Sequence, residues 1–168
     1  MTTLFAQPYD ISARGFYFDT ASEYSAKAAK LKNDYGQPVE EFEIQFIDGD
    51  ALDAKLFEAL CVNQANHEAF LEAVTGWSDD DKIKVIIAVG EAGYKFTLGD
   101  DAPDQFEVDL YQTDSLADLA AQFVEEGLYG EIPAPLRNYI DYDAIARDLS
   151  VDYSDIQLDG TRYIYRCE

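Results

Sequence analysis

The sequence predicts an α+β chain assembled from small modules, and three local patterns carry that reading. Glu40 to Ile47 alternates Phe42, Ile44 and Phe46 with Glu41, Glu43 and Gln45, the two-residue period of a half-buried strand. Asp50 to Cys61 places Leu52, Leu56, Phe57 and Leu60 at the spacing of one helix face. Near the C-terminus, Asp159-Gly160 stands between two β-rich runs, which is a strong hairpin signal.

Taken in order, Thr3 to Tyr9 and Arg14 to Phe18 read as short strands. Ala21 to Lys32 reads as a helix with Ala26, Ala29 and Leu31 on its apolar side. With the strand at Glu40 to Ile47 they make an N-terminal module, residues 1–49. The middle, residues 50–103, is mainly helical. His67 to Val74 continues the helical pattern with Phe70, Leu71 and Val74. Ser78 then opens another helix, and Asp79, Asp80 and Asp81 suit the positive end of its dipole. This helix is expected to reach about Glu91 and to end near Gly90 or Gly93.

The last module, residues 104–168, begins with a strand at Phe106 to Tyr111. Thr113 or Asp114 is expected to cap a helix from Ser115 to Glu126, whose stripe is Leu116, Leu119, Ala120 and Phe123. Gly127 should stop it. Pro133 starts a short helical turn, and Asp141 to Leu149 is a further helix. Ser154 to Leu158 and Thr161 to Cys167 are the arms of the closing hairpin.

Charge is the unusual feature. The chain has 34 acidic residues against 12 basic ones, a formal net charge of −22. Solubility of a small domain needs a magnitude of only about 2–8, and the excess destabilises the compact state by self-repulsion. Twelve Tyr and ten Phe separate this chain from a disordered acidic tail. Phosphates would be repelled, so nucleic acid and anionic membranes are poor ligands. The partners this charge suits are cations and basic protein surfaces.

The acids run along expected structural elements. From Phe96 to Leu136 there is no Lys or Arg. That stretch holds Asp100, Asp101, Asp104, Glu107, Asp109, Asp114, Asp118, Glu125, Glu126 and Glu131. Between Asn33 and Asp81 the one base is Lys55. The bases concentrate at Lys27, Lys30 and Lys32 and at Arg137, Arg147, Arg162 and Arg166. B-DNA carries one negative charge per roughly 1.7 Å, so 22 net charges correspond to about 11 base pairs.

Catalytic and metal patterns are weak. His67 is the one histidine, in Asn66-His67-Glu68, and a surface or capping role is expected for it. No nucleophile elbow, Walker loop or dinucleotide fingerprint occurs. Two distant cysteines, Cys61 and Cys167, and one histidine do not make a zinc site, and reduced thiols fit a cytoplasmic setting. Asp48-Gly49-Asp50-Ala51-Leu52-Asp53 has Asp53 where a calcium loop needs glycine. With so many carboxylates, a glycosidase-like pair would arise by chance. The reading is therefore a protein with no catalytic centre, no cofactor and no metal. No transmembrane run or basic signal-like start is present. Tyr129, Tyr139, Tyr142 and Tyr153 could form a recognition surface, but core or interface is the favoured reading.

One segment is more specific. Phe123 to Leu149 contains Gly127, Gly130-Glu131-Ile132-Pro133, Leu136, Asn138-Tyr139-Ile140-Asp141-Tyr142 and Ala146-Arg147-Asp148-Leu149. It closely resembles the C-terminal part of the ArdA antirestriction proteins, which are carried by plasmids, conjugative transposons and phages. The resemblance implies an elongated molecule of three small modules that dimerises through its C-terminal region. It also implies that carboxylates stand in for DNA phosphates in the methyltransferase core of type I restriction–modification enzymes. Carried onto this sequence, Glu125, Glu126, Glu131, Asp141 and Asp143 become candidate phosphate stand-ins or supports for the dimer interface, beside the acids above. Tyr129, Ile132, Leu136 and Tyr139 become candidate dimer contacts. The competing reading is an acidic decoy or chaperone for another basic nucleic-acid-binding protein.

Overall fold

Two three-stranded antiparallel sheets, each packed by helices, organise the computed structural model, which describes all residues from Met1 to Glu168. The fold is α+β, as the periodicities predict. Contacts divide the chain into two compact units, Met1–Phe106 and Glu107–Glu168.

The first unit opens with β1 (Thr3–Pro8) and β2 (Phe16–Phe18), and β3 (Phe42–Asp48) completes a sheet of order β2-β1-β3. Leu4, Ala6, Phe42 and Ile44 are buried, so the alternation read in Glu40 to Ile47 does place its apolar set inward. The register pairs Leu4 with Phe46 and Ala6 with Ile44. Gly15 enters β2 where a Cβ would lie 2.4 Å from Phe5 Cζ and 2.5 Å from the Ala6 carbonyl oxygen. Only glycine permits so close an approach to β1.

Helix α1 (Ala21–Ala28) is shorter than expected, and its buried residue is Tyr24. Ala26 and Ala29 are exposed, which corrects the expected apolar stripe. Tyr24 joins an aromatic group with Phe16, Phe18 and Phe42, and larger rings outweigh alanines in deciding which face is buried. Helices α2 (Ala51–Ala59) and α3 (His67–Gly76) pack on the sheet, α3 through His67 against Phe18, and α4 (Asp79–Val85) packs on α2. Phe57 joins α2 to the sheet and to α3, edge-on to Phe46 and to Phe70. Core residues thus lie on both sides of position 50 within this unit. Ser78 caps α4 with a full capping box to Asp81. The helix then widens into a π turn over Ile86–Glu91, where Gly90 packs on Ala59.

The second unit contains β4 (Val108–Gln112), α5 (Leu116–Glu125), a 3₁₀ segment (Ala134–Tyr139), α6 (Tyr142–Leu149), β5 (Ser154–Leu158) and β6 (Thr161–Cys167). The sheet order is β4-β6-β5. Asp159 and Gly160 have φ of 47° and 76°, the positive values a two-residue hairpin turn requires. Ser115, rather than Thr113 or Asp114, caps α5, because its hydroxyl accepts from the Asp118 amide. Leu119, Phe123 and Ile164 form the core, flanked by Tyr111, Leu116, Leu149 and Tyr153.

Candidate functional site

Acidic side chains face outward in both units. Of 34 acidic residues only Asp53 is buried. It is 2 % exposed and accepts a hydrogen bond from Lys82 Nζ at 2.7 Å and one from the Thr2 hydroxyl at 3.1 Å. The pair is interior architecture, and it removes one of the few cations from the surface.

In the first unit, three candidate acids lie on the loop from Phe96 to Phe106. Phe96 packs edge-on against Trp77 and beside Phe106, which ties both ends of the loop to its own unit. Asp101 is half-buried and accepts from the Thr97 amide at 2.6 Å, closing the turn. Asp100 and Asp104 are exposed.

In the second unit, Glu107, Asp114, Asp118, Glu125, Glu126, Glu131, Asp141 and Asp143 are exposed, and Asp109 is half-buried. They divide by what they touch. Asp118 belongs to the Ser115 cap, and Asp141 caps α6 by accepting from the Ala144 amide. Glu126 accepts from Gln122 one turn earlier. Asp109 accepts two hydrogen bonds from Arg166, whose guanidinium lies over the Tyr153 ring. That carboxylate holds the arginine above its already high ordinary pKa. Side chains of Glu107, Asp114, Glu125, Glu131 and Asp143, like those of Asp100 and Asp104, make no bond within the chain and point their full charge at solvent.

Cations in this unit are partly consumed. Arg162 is paired with Asp155 through two hydrogen bonds, and Arg166 also reaches Glu168. Candidate contact residues Tyr129, Leu136 and Tyr139 are exposed, Tyr139 by 84 %. Ile132 is half-buried in a cleft of about 400 Å³ with Val124, Glu131, Arg137 and Tyr142. Positive φ at Gly127 (79°) and Gly130 (87°) turns the chain between α5 and that cleft. Tyr153 packs in the core, Tyr142 is half-buried, and Tyr129 and Tyr139 are open to solvent.

A family model described as antirestriction protein (ArdA) matches residues 14–162. The chain belongs to the antirestriction protein (ArdA) family. Antirestriction is the function that this membership carries, and it implies interaction with restriction enzymes. No individual curated protein matches the chain. The match takes in the Phe123–Leu149 segment and also most of the first unit, where sequence patterns alone were less telling.

His67 corrects an expectation in this ArdA-family chain. It is buried rather than at the surface, with Nδ1 2.9 Å from the Gln64 carbonyl oxygen. Its ring lies tilted against Tyr24 and stands edge-on to Phe18. Burial holds its pKa below the ordinary histidine value. The burial of His67 had no signal in its polar neighbours Asn66 and Glu68, whereas Asp53 falls three, four and seven positions before Leu56, Phe57 and Leu60, on the apolar face of its helix. No helix is long and apolar enough to cross a membrane.

Proposed function

We propose that this chain inhibits type I restriction–modification enzymes as a DNA mimic, its carboxylates occupying the basic groove that otherwise holds DNA phosphates. The observation that carries the reading is the outward display of the acids: one of 34 is buried, while Lys82, Arg162 and Arg166 are bound internally. Asp100, Asp104, Glu107, Asp114, Glu125, Glu131 and Asp143 are the free stand-ins, and Asp101, Asp109, Asp118, Glu126 and Asp141 add charge while holding local structure. Phosphate contacts carry no base information, so inhibition is independent of recognition sequence.

Self-association through the second unit belongs to the same reading. A unit of about 60 residues buries little apolar surface of its own. Here Tyr129, Leu136 and Tyr139 remain outside that core and are available to a second copy. The homodimer would present about twice the charge.

The test is a titration of the purified protein into a type I methyltransferase–DNA complex at several salt concentrations. Displacement of DNA that weakens steeply with salt is expected. Unchanged DNA binding at large molar excess overturns the proposal. Capture from extract of a different basic nucleic-acid-binding protein, with no methyltransferase, favours a general acidic decoy instead.

A further inference from the structure

A cationic cleft lies in the first unit of this acidic chain. Arg14, Lys27 and Lys30, together with Phe16, Ala26 and Leu31, line a shallow depression of about 460 Å³. Gly15 packs against Phe5 and the Ala6 carbonyl, which seats the backbone between Arg14 and Phe16 close beside β1. Lys27 is tied down: its Nζ donates to the Tyr17 carbonyl oxygen at 2.7 Å and pairs with Glu23. Arg14 and Lys30 are exposed. They form no ion pair, and neither do Lys32, Lys84, Lys95, Arg137 and Arg147; what sets the two apart is the apolar surface between them. A surface selected for negative charge alone has no use for two unsatisfied cations beside apolar side chains. A basic DNA groove would repel them.

We propose that this cleft docks an acidic segment of the target restriction enzyme's protein surface, carboxylates to Arg14 and Lys30 and an apolar side chain over Phe16 and Leu31. The inference rests on the DNA-mimic reading and deepens it. The carboxylates supply nonspecific attraction to a basic groove, and the cleft sets orientation and partner choice. Like-sign contacts at the cleft would suppress binding in a wrong register.

The test reverses these two charges. Arg14→Glu with Lys30→Glu takes the net charge from −22 to −26, making the protein more DNA-like in charge. Charge mimicry alone expects equal or better displacement of DNA from a type I methyltransferase. The docking cleft expects the double variant to need about tenfold more protein at 0.1 M salt, the difference shrinking at 0.5 M. The charge-preserving pair Arg14→Lys and Lys30→Arg should displace DNA like the wild type. Both residues are exposed, and an unchanged melting temperature confirms that the fold is intact. Equal or better displacement by the reversal variant overturns the cleft and leaves mimicry standing. A wild-type protein that fails to displace DNA overturns both. The cleft is likewise overturned if sedimentation shows that the reversal merely abolishes self-association, or if the wild type retains free duplex DNA and the variant does not.

Discussion

Asp53 and His67 show how single buried groups constrain an acidic chain. Lys82 and Asp53 are both nearly fully buried, and each would be an uncompensated charge without the other. Asp53→Ala is therefore expected to destabilise by about 3–5 kcal/mol, measured by urea unfolding. Replacing the pair together, Asp53→Leu with Lys82→Met, should restore most of that loss, because no buried charge remains. A double variant as unstable as the single one would show that packing, not charge, sets the cost. His67 titrates in the opposite sense from a salt-bridged histidine. Burial lowers its folded-state pKa, so below about pH 6.5 the unfolded chain binds the proton first and stability falls. The melting temperature of the wild type should drop relative to His67→Phe as pH falls from 7.5 to 5.5. Comparison with the variant is needed because acidification also relieves repulsion among carboxylates, which acts the other way. An identical pH profile for both proteins would remove His67 as a titrating group.

At the scale of elements, α5 illustrates what local rules decide. Ser115 accepts from the Asp118 amide and donates to the Asp118 carboxylate, and Gly127 follows the last turn with φ of 79°. Ser115→Ala should cost about 1 kcal/mol in chemical denaturation. Asp118→Asn should weaken the cap less, since an amide oxygen still accepts. Elements governed by such short-range chemistry were legible: the Ser78 cap, the Asp159-Gly160 hairpin, and the strand alternation around Phe42 and Ile44. Features decided by distant contacts were not. The buried face of α1 depends on Tyr24 meeting Phe18 and Phe42, which lie in other elements. The π turn after Val85 places Gly90 against Ala59, a contact 31 positions away in sequence that no local pattern contains. Of the candidate site, exposure of the carboxylates could be read from their polar spacing. Which of them binds Arg166 could not, because that depends on register: Asp109 lies opposite Arg166 only once β4 pairs with β6.

For the whole molecule, charge is the quantity to perturb, and its effect should be graded. Net charge of −22 acts against compactness, so the wild-type melting temperature should rise with added salt as repulsion is screened. Binding to a basic groove should respond in the opposite direction, since salt screens attraction too. The two trends separate a mimic from a protein whose acids merely solvate its surface. Within the binding reaction, free energy shared among many exposed pairs leaves no single dominant residue, each pair being worth roughly 0.2–1 kcal/mol. Glu131→Gln alone should barely change displacement of DNA from a type I methyltransferase. Neutralising Asp100, Asp104, Glu107, Asp114, Glu125, Glu131 and Asp143 together should weaken displacement by at least tenfold and flatten its salt dependence. The side chains of these seven make no hydrogen bond within the chain, so their amide versions should fold, and the loss of repulsion should raise the melting temperature. Weaker inhibition from a more stable protein is the signature of charge retained for binding. A large loss from Glu131→Gln alone, with melting temperature and oligomeric state unchanged, would point instead to a local hot spot beside the Ile132 cleft.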